Sequence, residues 1–456
     1  MDRILPAHHH RYPMYRARAA RELEAAAIAA VRLDLGEPRL MVRAGAAVAR
    51  LAAAVAPFAE RIWIAAGPGN NGGDGIEAAI HLRAQGRSVT LTLAGDPLRL
   101  PADAAISLQN ARACGIDIDM ADAAPPLLKS SDLAIDALLG LGSSRPPDAA
   151  IAALVHSLNA QPCGVLAVDL PTGLDGDTGH PFGDAAVRAT HTLSLLTLKP
   201  GLFTGAGRDH AGSIWLDDLG CGAPPGALDA ATPDAWLSAA VAPKVRRQTA
   251  HKGSFGDVLA VGGAAGMSGA ILLCARAAHA AGAGRVWVVP MDHSAPLLDP
   301  IRPELMWRRA LDSFDDPSLR ASTIACGCGA AASIDAVLPR LLDQAARLVI
   351  DADALNAIAD TPALAQALCA RREPSILTPH PLEAARLLGT DTKTVQCDRL
   401  AAAQTLADRF ASVVILKGSG TVIAAPGVVA HVNSSGNAAL ATAGSGDVLA
   451  GWLAGV

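Results

Sequence analysis

Residues 66–75 read AGPGNNGGDG. They follow the apolar run RIWIAA (61–66) and precede IEAAIHLRAQG (76–86), which reads as a helix. Gly67-Pro68-Gly69-Asn70-Asn71-Gly72 is therefore a G-x-G-x-x-G set between a strand and a helix, the fingerprint of a dinucleotide-binding loop. A strand, a glycine loop and a helix in succession imply a parallel α/β sheet. The motif alone leaves open whether the dinucleotide is a redox cofactor or is handled in some other way.

The same alternation spreads outward from this stretch. Short β-branched runs recur between Ala/Leu-rich helical segments: SVTLTLAG, LAIDALLG, GVLAVDLPTG and HTLSLLTLKPG in the first half. The second half continues with DVLAVGG, GRVWVVP, STIACGCG, RLVIDADAL, SILTPHP and SVVILKGSG, then TVIAAPGVVAHV, which reads as a hairpin. A Pro/Ala/Gly-rich stretch over 218–250 separates the halves. The expected organisation is a Rossmann-like three-layer domain over 1–225, a linker over 226–245 and a second α/β domain over 246–456.

Composition narrows the function classes. The chain has 456 residues, too many for one ordinary core, and is 51% hydrophobic with 3% aromatics. A formal net charge of -5 and the lack of a Lys/Arg block give no electrostatic case for nucleic acid. No apolar run is long enough to span a bilayer. The N-terminus MDRILPAHHHRYPMYRARAARELEAAA lacks the apolar core of a signal peptide, so a cytoplasmic protein is expected. The 8 cysteines form no disulfide framework. Cys326 and Cys328, the one close pair, are expected as small apolar residues in a turn, and His8–His10 as a solvated start.

Three strands of the first half end in polar residues: Asn70, Asn71 and Asp74; Asp136; and Asp169 with Thr172. Each alone is ordinary turn chemistry. Repeated at the carboxyl ends of one sheet, where ligands collect, they read as a site. Asn71, Asp136 and Thr172 make an oxygen-only set suited to a hard cation, and Asp169 is the candidate acid/base. A dehydrogenase would use an acid such as Asp96 on the ribose. A fixed carboxylate beside a pyrophosphate, however, is unfavourable without a cation.

In the second half, Gly444-Ser445-Gly446 precede the helix DVLAGWLAGV and leave backbone N–H groups for an anion. Asp447 at that spot suits proton removal from a hydroxyl while the glycines hold a transferring phosphoryl group. Lys417 to Thr421, in LKGSGTVI, would lie near nucleotide phosphates or ribose. His380 and Glu383 stand at one strand-to-helix turn. Asp351 and Asp353 stand at another strand end, where magnesium could be held indirectly.

The motifs GPGNNGGDG, DALLGLGSSRP, VDLPTGLDGDTG and TLKPG, over most of residues 10–220, resemble the NAD(P)H-hydrate epimerase domain of the bifunctional NAD(P)H-hydrate repair enzymes. The resemblance implies interconversion of the R and S epimers of NADHX and NADPHX, hydrated forms with a hydroxyl on C6 of the nicotinamide ring. It implies substrate contacts from Asn70, Asn71, Gly72, Gly73 and Asp74, from Gly140, Leu141, Gly142, Ser143, Ser144, Arg145 and Pro146, and from Asp169. Potassium would be held by Asn71, Asp136 and Thr172. Lys199 reads equally as a residue near the substrate and as a surface lysine.

From 251 to the end, GGAAGMSGA, VIDADALN, LTPHPLEAARLLG, LKGSGTVI and GSGDVLAG resemble the ADP-dependent NAD(P)H-hydrate dehydratase, a ribokinase-like fold. Here the resemblance implies that Ala270, Gly329, His380 and Asp447 contact the hydrated dinucleotide. Lys417, Gly418, Ser419, Gly420, Thr421 and Gly446 would contact the adenine nucleotide, which arrives with magnesium. The chain departs from the family at ACGCG (325–329), where G-P-G-L-G is usual. It also ends nine residues after Asp447, where the family continues with further helices, so the expectation is either a sequence cut short or a second domain lacking part of its helical cover. NADHX or NADPHX and ADP are the expected partners, and a homo-oligomer the expected state. The rival reading is a Rossmann-type oxidoreductase fused to a ribokinase-like small-molecule kinase, and a third is a non-catalytic nucleotide sensor.

Overall fold

A computed structural model describes residues 1–5, 11–33, 39–221, 232–240, 245–309, 311 and 317–456. His8–His10 and parts of the expected linker, 226–231 and 241–244, lie outside the described residues. The chain forms two compact units, Met1–Ala240 and Val241–Val456.

The strand Arg61–Ala66 is buried from Ile62 onward, and its alternate residues enter different cores. Ile62, Ile64 and Ala66 meet the helices Leu40–Val55 and Asn70–Ala84, whereas Trp63 and Ala65 meet the helix Ala149–Asn159. A period of two, apolar on both faces, is what a central parallel strand between two helical layers requires. Thr92 Oγ1 satisfies the buried Trp63 indole N–H at 2.9 Å.

Across this sheet the strands run Asp2–Arg3, Ser213–Asp217, His191–Leu195, Gly164–Val168, Leu133–Ala137, Arg61–Ala66, Ser88–Leu93 and Asp117–Met120. All neighbours are parallel except the first pair. Chain order reverses on either side of Arg61–Ala66, so the glycine stretch after it sits at the switch point, where α/β sheets open a crevice.

Immediately past Ala66 the structure departs from expectation. The helix begins at Asn70, capped by Gly69, so Asn70–Asp74 are its first turn and not a loop. Close packing selects the glycines. A Cβ at Gly67 would lie 1.7 Å from the Leu138 carbonyl oxygen, and one at Gly72 would lie 2.0 Å from that of Gly67. Strands Asp2–Arg3, Asp117–Met120 and Ser213–Asp217 were not anticipated. Within the expected linker, Ala235–Leu237 is a strand paired antiparallel with Tyr12–Met14 of the same unit, burying Ala235 and Leu237.

In the second unit the strand order is Met306–Trp307, Arg285–Pro290, Asp257–Gly262, Thr323–Cys326, Arg347–Ile350, Ser375–Leu377, Val413–Leu416, Val422–Ala425 and Val428–Val432. The sheet is parallel up to Val413–Leu416, after which the expected hairpin adds two antiparallel strands. Helices Ser268–Ala281 and Ser445–Gly455 cover one face of it. They approach closely because Gly451 lacks a side chain: a Cβ there would lie 1.9 Å from the Cys274 carbonyl oxygen. No helix among the described residues is long and apolar enough to cross a membrane.

Candidate active sites

In the first unit a cavity of about 1090 Å³ opens at the switch point. Asn70, Asn71 and Asp74 line it from the glycine-led helix, Leu138 to Pro146 from the next strand end, and Asp169 from the one after. Gly72, Gly73, Asp136 and Thr172 are buried and are not among the residues that line it. The motifs separated in sequence thus converge on one cavity. Asp96, the ribose candidate of the dehydrogenase reading, is not part of it; the side chain is exposed and caps the short helix Pro97–Arg99.

Asp136 is fully buried, and its carboxylate is held from several directions. Thr172 donates through its hydroxyl at 2.7 Å and its backbone N–H at 2.8 Å, and Leu138 N–H donates at 3.2 Å. Burial nevertheless pushes the Asp136 carboxyl up to about 6, against the lowering effect of these hydrogen bonds. Leu139 N–H donates to the Thr172 hydroxyl at 2.9 Å, and the next residue, Gly140, lies against the Asn71 amide. That amide carries a buried Nδ2 with no hydrogen-bond partner among the described residues.

Asp169 adopts a left-handed backbone conformation, φ 66°, rare for a side-chain-bearing residue and common at functional turns. Its Oδ1 accepts from Leu195 N–H at 3.2 Å and from the Lys199 ammonium. Lys199 is 1% exposed and also donates to Ser194 Oγ and the Leu195 carbonyl. The surface-lysine alternative for Lys199 is thereby overturned: the fully buried ammonium is fixed on the candidate acid/base. Burial and the carboxylates of Asp169, Glu24 and Glu77 push Asp74 well above the ordinary range.

One wall of the cavity was missed in the sequence. Arg21 and Glu24, on the helix Ala17–Leu33, line it. Main-chain contacts fix this helix: Tyr15 N–H donates to the Leu198 carbonyl at 2.9 Å and Ala17 N–H to Asp177 at 2.6 Å. Arg21 donates to the Leu141 carbonyl at 2.6 Å. RELEAAA reads like any solvated helix face, so no spacing marked it.

In the second unit the strand ends gather Lys417, Asp351, Glu383 and Asp447. The Lys417 ammonium lies 2.6 Å from Asp351 Oδ1, which also accepts from the Thr378 hydroxyl at 2.7 Å. Glu383 lies 3.9 Å from the same ammonium. A Cβ on Gly446 would lie 3.4 Å from Lys417 Nζ and 3.7 Å from Asp351 Oδ2, so the glycine-led helix start and the LKGSG strand end meet. Gly444, φ 90°, begins that helix, and Asp447 is in its first turn, half-buried. Ala270 and Gly329 also touch: a Cβ on Gly329 would lie 2.8 Å from that of Ala270.

Burial raises the Asp447 carboxyl, as do Asp351 and Asp353, while Cys328 and Lys417 pull it down. Cys328, Asp351 and Asp447 offer atoms all within 4.8 Å of one another. Cys326 and Cys328 are both buried in the apolar core, as expected, and the Cys328 Sγ in addition lies 3.9 Å from Asp351 Oδ2.

His380 caps the helix Pro381–Leu388: its Nδ1 accepts from the Leu382 and Glu383 N–H groups, with Glu383 returning a bond to the His380 N–H. Its Nε2 lies 3.2 Å from Glu383 Oε1, and about half of the side chain is exposed. Burial first, then Lys417, lowers its pKa. Asp353 accepts from Ala331 N–H and so secures a turn.

Arg399 was also missed. At 2% exposure, it donates to the carbonyls of Leu416, Lys417 and Gly420, pinning the turn that carries Lys417 to Thr421. Burial brings its pKa down to about 10. Gly418, φ 130°, packs against this guanidinium, and the hydroxyl of Thr421 bonds the Gly418 carbonyl at 3.1 Å.

Two parallel α/β sheets, each with its polar residues at the strand ends beside a glycine-led helix, define a two-site α/β enzyme. Residues 37–201 match the family model described as YjeF-related protein N-terminus, and residues 258–456 match that described as NAD(P)H-hydrate dehydratase. The Escherichia coli (strain K12) protein named bifunctional NAD(P)H-hydrate repair enzyme Nnr is 36% identical over 431 residues, 91% of this chain and 79% of its own length. A Leishmania braziliensis protein named bifunctional NAD(P)H-hydrate repair enzyme is 38% identical over 96% of this chain and 83% of its own. The chain belongs to the family of bifunctional NAD(P)H-hydrate repair enzymes. A solved ADP/ATP-dependent NAD(P)H-hydrate dehydratase from Bacillus subtilis, co-crystallised with ATP and Mg2+, is 30% identical. It covers 46% of this chain and 75% of its own, with a TM-score of 0.39. The oxidoreductase–kinase reading is set aside, since both halves match the repair family.

Proposed function

We propose that this chain repairs hydrated NADH and NADPH: the first unit epimerises NAD(P)HX, and the second dehydrates the S form with ADP, giving NAD(P)H, AMP and phosphate. The observation that carries the reading is membership of the repair family over both halves, with each half's motifs converging on one strand-end site. Residues 1–225 are proposed as the epimerase domain, 226–245 as the linker and 246–456 as the dehydratase domain.

In the first unit Asn70 to Asp74, Gly140 to Pro146 and Asp169 would take the substrate, with Asp169 as acid/base. Potassium would be held by Asn71, Asp136 and Thr172. The residues fit: the set is all oxygen, as a hard cation prefers, and the unpartnered Asn71 amide can present its oxygen by turning over. When bound, potassium would offset the carboxylates beside a pyrophosphate.

In the second unit the ring hydroxyl is a poor leaving group and phosphate a good one. Asp447 takes the proton of the C6 hydroxyl, whose oxygen attacks the β-phosphorus of ADP, and AMP leaves. The C6–O bond then breaks, phosphate departs, and loss of a ring proton restores the double bond. Backbone N–H groups from Gly444 to Gly446 would stabilise the phosphoryl charge. Lys417 to Thr421 and Gly446 would hold the adenine nucleotide; Ala270, Gly329, His380 and Asp447 would hold the hydrate. Magnesium enters with the nucleotide as substrate.

The test is to incubate the chain with mixed hydrate epimers and ADP and follow the absorbance of reduced nicotinamide. Full recovery is expected. Recovery of about half would sink the epimerase assignment, and no recovery would sink the dehydratase. The reading includes a cytoplasmic homo-oligomer, checked by fractionation and light scattering.

A further inference from the structure

We infer that Glu24 is a second acid/base group of the first site, working with Asp169 on the C6 carbon of the hydrated ring; this rests on the epimerase reading above. Glu24 stands on the helix Ala17–Leu33, which precedes the residues 37–201 that the family model matches. It lines the same cavity as Asp169 and Asp74, from a different wall.

Its carboxyl is half-buried yet forms no hydrogen bond or ion pair among the described residues. A partly buried carboxyl without a partner is costly unless it is kept neutral or serves a ligand. Asp169, by contrast, already accepts from Lys199. The two carboxyls are therefore differentiated by their surroundings, the arrangement that separates an acid from a base. The groups facing Glu24 are Asp169 and Lys199 across the cavity and Arg21 on its own helix, with Asp74 electrostatically coupled to it. Burial, then Asp169, raises its proton affinity, against Lys199 and Arg21.

Epimerisation at C6 needs the hydroxyl to leave one face and return on the other. The Glu24 acid gives its proton to the C6 hydroxyl. The C6–O bond breaks, water leaves, and the N1 lone pair forms a C6=N1 iminium. Water adds to the opposite face and its proton passes to Asp169; exchange with solvent returns a proton to Glu24. One water leaves and one is added, so nothing is oxidised or reduced.

The experiment uses the full chain with mixed epimers and excess ADP. The S hydrate is consumed in a fast phase, and the R hydrate in a slow phase limited by the first site. Glu24→Gln is expected to slow the second phase about 100-fold, with Glu24→Asp restoring part of it. In the wild type the slow phase should fall as pH rises through the raised Glu24 value. That limb should be absent from the residual activity of Glu24→Gln. A Glu24→Gln slow phase within about threefold of wild type, or an unmoved limb, overturns the inference. Asp169→Asn separates the two failures: if it also leaves the slow phase intact, the epimerase reading itself has fallen.

Discussion

Lys199 and Asp169 form a buried ion pair at the ends of neighbouring strand connections, with the ammonium 1% exposed and the carboxylate facing the cavity. The pair sets the orientation of the proposed acid/base. Removing one partner leaves an uncompensated buried charge. Lys199→Met should therefore cost the first unit about 3–5 kcal/mol in denaturant unfolding. The slow, R-hydrate phase should be lost while the fast phase persists.

Thr172 supplies two of the hydrogen bonds on Asp136. Thr172→Val removes the hydroxyl donor from a buried carboxylate, an expected loss of about 1–3 kcal/mol. Thr172→Ser should retain stability. If potassium sits there, exchanging it for tetramethylammonium slows the R-hydrate phase in wild type and Thr172→Ser, and has little further effect in Thr172→Val.

Asp447 must be ionised to accept a proton, so the dehydratase rate should fall as pH falls through its pKa. Because burial raises that value, the limb should lie above the ordinary carboxylate range. Cys328 pulls the value down, so Cys328→Ala should shift the limb to higher pH. Cys328→Ser should shift it less. Asp447→Asn should cut single-turnover dehydration by about 10²–10⁴, with R/S exchange measured by chromatography unchanged.

Arg399 holds the backbone of Lys417 and Gly420, the turn proposed to take the nucleotide. Arg399→Met should loosen that turn and leave its carbonyls unpaired. The expected result is a KM for ADP raised roughly tenfold, with a smaller change in kcat and none in R/S exchange. An unchanged KM would show that the turn holds without it.

Much of both sites was legible because strand ends concentrate function. Asp136, Asp169 and Asp351 each follow an apolar run, and the fold brings such ends together. What escaped was whatever depends on tertiary burial. Lys199 reads the same whether its strand end faces water or a carboxylate. Asn70–Asp74 read as a loop because Asn and Gly are poor helix formers, yet close backbone packing at Gly67 and Gly72 makes them the first helical turn. Glu24 lies in an ordinary charged helix pattern, and nothing in its spacing says that the face is turned inward.

Gly67 and the Leu138 carbonyl stand closer than any side chain permits. The two loops that frame the first cavity therefore form one inseparable surface. Diversification here can exchange side chains such as Asp74 or Arg145, but it cannot lengthen either loop alone without breaking the other. A new substrate would be accommodated more readily from walls outside that contact, such as the helix Ala17–Leu33.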